Sequence, residues 1–96
     1  MWFSLFLIKS HIYSEISGYR YFKKGCVNGH NLVKYEDLSV ERCKEKCNAR
    51  RDCFAFEYGV NYGGPGNYEP RDCILNDGRS NANCGGYHNL DLYLKL

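Results

Sequence analysis

The sequence predicts an α+β module, one α-helix packed on a twisted antiparallel sheet of about five strands and stapled by disulfides. Three observations lead there. Six cysteines stand at positions 26, 43, 47, 53, 73 and 84 of a 96-residue chain. One segment carries two of them four residues apart, the spacing that puts side chains on one face of a helix. Several short runs rich in tyrosine, phenylalanine or leucine alternate with period two, as strands do. A chain this short makes at most one domain with a thin core. An even cysteine count at this size fits a disulfide framework formed in an oxidising, extracellular compartment.

The elements follow in order. Residues 1–17 form an amino-terminal segment that we expect to lie outside the domain. Its apolar run from Met1 to Ile8 lacks a basic leader and a small-residue cleavage site, so it makes a poor signal peptide. It is also far short of the roughly 20 apolar residues of a spanning helix, so no membrane insertion is expected. A misassigned start, or a domain cut from a larger multidomain protein, explains it better. The domain is expected over residues 18–96, opening with the aromatic, strand-like run from Tyr19 to Lys24. Asn28-Gly29 marks a turn, because both residues tolerate positive φ. A short extended piece from Asn31 leads to the helix, for which Ser39 is the N-cap, Glu41 complements the dipole in the first turn, and Leu38 meets Cys43 across the cap.

Cys43 and Cys47, with Val40 a turn earlier, define the inward face of that helix. Arg42, Lys46 and Arg50 form a basic outer flank. The helix is expected to stop near Arg50 or Arg51. Cys53 then opens a strand in which Phe54, Phe56 and Tyr58 alternate with Ala55 and Glu57. Glycines and prolines make residues 60–70 a long, flexible loop. A strand around Cys73, a turn at Asn76-Asp77-Gly78, and a half-buried closing strand of alternating leucines from Leu90 complete the chain.

The stretch SVERCKEKC, the following DCFAFEY and the later DCIL resemble the PAN/Apple family, and the resemblance covers Gly18 to about Leu94. It implies a PAN/Apple-like module in which the two helical cysteines pack on the sheet and a third cysteine opens the next strand. Sequence alone allows fifteen pairings. The resemblance implies Cys43 with Cys73, Cys47 with Cys53, and Cys26 with Cys84. It also implies an extracellular recognition domain for a protein or a carbohydrate.

The rival chemistries lack their residues. Zinc would need a second close ligand pair beside Cys43, Cys47, Cys53 and His30 or His88, and none has that spacing. No metal and no cofactor is expected. Six cysteines in an even set leave no obvious nucleophile, and the motifs of serine hydrolases, zinc proteases and nucleotide-binding loops are missing. The chain is therefore not expected to be an enzyme. With 13 basic and 11 acidic residues the net charge is +2, too slight to call for a nucleic acid. Three functional classes remain: a protein- or carbohydrate-binding adhesion module, a heparin or anionic-glycan binder acting through Arg42, Lys46 and Arg50, and a disulfide-rich toxin or protease inhibitor. The ligand site is expected in the glycine-proline loop, where Tyr62 and Tyr68 flank the tip and Arg71 adds a donor, because rigid tyrosines among small residues suit recognition.

Overall fold

The computed structural model describes residues 16–96. The expectations for the amino-terminal run Met1 to Ile8 lie outside the described residues. The chain folds as β1 (Tyr19–Phe22), β2 (Gly25–Cys26), β3 (Asn31–Tyr35), α1 (Val40–Asn48), β4 (Ala55–Gly59), β5 (Cys73–Asn76), β6 (Ala82–Asn83) and β7 (Leu90–Lys95). Five strands make one antiparallel sheet in the order β1-β7-β4-β5-β3, while β2 and β6 pair separately. The architecture is thus α+β, with one helix on a five-stranded antiparallel sheet and three disulfides. The closing strand does not end the sheet. It slots between β1 and β4, with Leu92 opposite both Phe22 and Glu57; Leu90 and Leu92 are buried, Leu94 is half-buried and Leu96 is exposed.

Ser39 caps α1 as its chemistry requires, its backbone extended and its hydroxyl accepting the Arg42 N–H at 3.1 Å. The helix ends at Asn48, two residues before the expected stop. The chain must turn there to bring Cys53 back to Cys47, and the Arg50 N–H donates to the Cys47 carbonyl at 3.1 Å as it does so. Lys95 of β7 donates to the same carbonyl at 3.1 Å, placing a cation where the helix dipole is negative.

Cys43 and Cys47 face a core of Tyr19, Phe56, Leu75 and Tyr93, with Leu38 and Val40 packed against it. Phe56 stacks on Tyr93 with ring centroids 4.7 Å apart and meets Tyr19 edge-on at 5.2 Å. Tyr19 sends its hydroxyl to Asn48 of the helix at 2.7 Å. Burial of its ring pushes its pKa up to about 12. Ile16 packs on the same core, and its carbonyl accepts the Tyr19 N–H at 3.1 Å. Three disulfides join Cys43 to Cys73, Cys47 to Cys53 and Cys26 to Cys84, and they use every cysteine.

The opposite face of the sheet is also covered. Ile74, Leu90, Ala55 and Leu92 pack there against Cys26 and Val27 of the β2 segment. β4 is therefore buried along its whole length. At its end Gly59 meets the returning loop: its N–H donates to Asp72 O at 2.8 Å, and its carbonyl accepts the Arg71 N–H at 3.1 Å. A Cβ at position 59 would lie 1.8 Å from the Glu69 carbonyl oxygen. Gly59→Ala is accordingly expected to lower stability by about 2 kcal/mol through backbone displacement, measured as a shift of the urea midpoint.

Candidate ligand-binding hollow

Two adjoining cavities open on the sheet face away from α1. The inner one, about 150 Å³, is bounded by Val27, Asn31, Glu57, Tyr68, His88 and Leu90, among others. The outer one, about 450 Å³, is bounded by Lys34, Pro65, Asn67, Tyr68, Tyr87 and His88. Tyr68 and His88 border both, so the two form one stepped hollow. Tyr87 stands at its outer edge with 56% of its surface exposed, its ring edge-on to His88 at 4.8 Å.

The buried end belongs to Glu57. Strand alternation sends Phe56 and Tyr58 toward the helix core and Glu57 to the other face, opposite Ile74 and Leu92. Only 2% of it is exposed. Desolvation raises its pKa from 4.5 to about 7, against the opposing pull of hydrogen bonds from Val27 and Asn76. The Val27 N–H donates to Oε2 at 2.9 Å. The fully buried Asn76 amide donates to Glu57 Oε1 at 3.1 Å and to the Ile74 carbonyl at 3.2 Å, with its oxygen toward Asn31. Asn31 continues the chain of contacts to the Tyr68 hydroxyl, 3.2 Å away.

The loop after β4, expected to be flexible, is tied down, and Asn89 makes three of the bonds that hold it. Asn89, in the left-handed region at φ 62°, accepts the N–H groups of Tyr62 and Gly64 at 3.1 and 2.9 Å and donates to the Gly64 carbonyl at 3.1 Å. Asparagine tolerates that backbone conformation better than most residues. These bonds, with the Gly66 N–H donating to Tyr87 O at 2.9 Å, hold the tip of the loop against the 86–89 segment and shape the outer wall.

The six residues singled out as ligand candidates divide sharply. Tyr68 lines both cavities. Tyr62 lines neither; its hydroxyl donates to Asp91, which also accepts from Tyr21 and from the Lys24 N–H. That arrangement, with burial as its main cause, pushes the Tyr62 pKa up to about 12. Arg71 is exposed, has a φ of 72°, and donates to Asp37 at 2.7 Å. On the helix flank Arg42 lies 3.4 Å from Glu45, Lys46 sits 4.9 Å over the Tyr35 ring, and Arg50 forks onto Asp52 at 2.9 and 3.0 Å. The structure thus brings none of Arg42, Lys46, Arg50, Tyr62 and Arg71 to the hollow.

Glu57, Asn31 and Tyr87 are lining residues that sequence reasoning passed over, and His88 entered it only as a rejected zinc ligand. The one available signal for Glu57 was a carboxylate inside a strand flanked by aromatics; His88 carried none beyond a turn context. Among the described residues no group of three or more histidine, cysteine or acidic side chains is placed to hold a metal ion. No helix among them is long and apolar enough to cross a membrane. No protein-family model, curated protein or solved structure matches this chain.

Proposed function

We propose that the chain is an extracellular, non-catalytic recognition module of PAN/Apple type, binding a carbohydrate or protein partner through the hollow opposite α1. The observation that carries this reading is the hollow itself, a concave surface where aromatic side chains from the loops, Tyr68, Tyr87 and His88, meet polar groups of the strands, Asn31 and Glu57. Three disulfides in a small domain are consistent with an extracellular setting. The bonded thiols offer no nucleophile, and the single carboxylate of the hollow is held by amide donors rather than by a second acid. No cofactor and no nucleic acid enters this reading. The anionic-glycan alternative receives less support, because Arg42 and Arg50 have acidic partners at contact distance. A toxin or inhibitor would act through a protruding loop, whereas this loop is bonded down by Asn89.

The test is to apply the oxidised chain to a glycan array and to immobilised heparin at graded salt. We expect saturable binding on the array and loss of heparin retention at or below physiological ionic strength, about 0.15 M. A silent array with heparin retention persisting well above that strength would move the function to the basic flank.

A further inference from the structure

We infer that the inner cavity seats one neutral sugar residue, its hydroxyls held by Glu57 and Asn31 and its ring packed against Tyr68. This deepens the recognition reading and rests on it. Size comes first. The inner cavity of about 150 Å³ lies below the roughly 300 Å³ at which drug-sized pockets begin, so it admits a single small ring or side chain. The outer cavity of about 450 Å³ shares Tyr68 and His88 with it, which leaves room for the rest of an oligosaccharide to run outward.

Chemistry selects the class. The buried end presents a carboxylate whose two oxygens each keep an acceptor position beyond the bonds from Val27 and Asn76. Beside it Asn31 keeps one amide N–H beyond its bond to the Tyr68 hydroxyl, and Val27 and Leu90 supply apolar wall. A purely apolar ligand would leave the remaining hydrogen-bonding capacity of Glu57 and Asn31 unused at the cavity wall, which is unfavourable. An anion would face the Glu57 carboxylate at close range, and the lysine of the lining, Lys34, is already engaged with Glu36 at 3.6 Å and Asp72 at 3.8 Å. A cation would have Glu57 as its only charged partner in the lining, with Lys34 opposing it at the outer rim. A neutral polyol matches every group: hydroxyls that donate to the carboxylate, hydroxyls that accept from the amide, and C–H faces for the aromatic ring.

The test is a titration of the ¹⁵N-labelled, oxidised full chain with the methyl glycosides of glucose, galactose, mannose and N-acetylglucosamine, with butylammonium and inorganic phosphate as the charged probes. At least one glycoside is expected to shift the backbone amide signals of Gly29, Asn31 and His88 saturably. Near pH 8, where Glu57 is ionised, Glu57→Gln and Tyr68→Ala are each expected to weaken that binding about tenfold or more, as loss of a charged hydrogen bond or of the ring platform should. Shifts confined to another surface, or tighter binding of butylammonium or phosphate at these residues, would overturn the assignment and leave the recognition reading standing. Silence toward every glycoside overturns the assignment, and silence on the glycan array as well removes the carbohydrate arm of the recognition reading.

Discussion

Replacing Cys43 and Cys73 together by alanine lowers the unfolding free energy by about 4 kcal/mol. The two residues are fully buried, 30 positions apart, and join the inward face of α1 to β5. Restricting a loop of that length in the unfolded chain accounts for roughly 3.7 kcal/mol in the chain-entropy description, and the loss of two buried sulfurs from the helix core adds to it. The Cys47–Cys53 bridge spans only 6 positions and is expected to contribute less, roughly 2.4 kcal/mol on the same description. Against a total of about 5 to 15 kcal/mol for a domain, the first loss threatens folding itself. Urea unfolding of the oxidised variant checks it: a midpoint shift equivalent to less than about 1 kcal/mol would mean that packing, not the bridge, holds α1 on the sheet.

Glu57→Gln has the opposite sign and depends on pH. The carboxyl has a pKa of about 7 in the folded chain against 4.5 as its ordinary value. Between those values the folded state holds a proton that the unfolded state has released, so stability falls as pH rises through the window. At about 1.4 kcal/mol per unit, the full loss above the upper value is roughly 3 kcal/mol. Glutamine cannot ionise, and its amide oxygen can still accept from Asn76. The variant should match the wild type near pH 4 and exceed it by roughly 3 kcal/mol near pH 8. Denaturation midpoints across that range decide it, and parallel pH profiles for the two proteins would remove Glu57 as the source. The same substitution is expected to weaken sugar binding, so stability and recognition pull against each other at this residue.

Much of the fold was legible because it is local. Ser39, Glu41 and the four-residue spacing of Cys43 and Cys47 specify α1, and period-two aromatics specify β1 and β4. What failed to show is non-local. Nothing in the leucines of β7 says that the strand lies between β1 and β4, since alternation reports a face and not a neighbour. β2 and β6 are two residues each, too short for any period. Their covering of the second sheet face is what buries Glu57, so a residue that alternation alone would leave toward solvent becomes the end of a cavity. The candidate site was only partly legible for a related reason. Tyr62 and Tyr68 look alike in sequence, flanking one glycine-proline tip, yet Asp91 captures the first and the hollow receives the second. The partners that separate them, Asp91 and Asn31, are 29 and 37 residues distant along the chain.

On the reading proposed above, recognition belongs to the hollow opposite α1 and not to the helix flank. The most direct measurement compares, against the array glycan bound best by the wild type, the dissociation constants of Tyr68→Ala and of the triple replacement of Arg42, Lys46 and Arg50 by alanine. Loss of about tenfold or more in affinity for the first, with the second unchanged and both oxidised and folded, is the predicted result. Full affinity in Tyr68→Ala with loss in the triple variant would contradict the account.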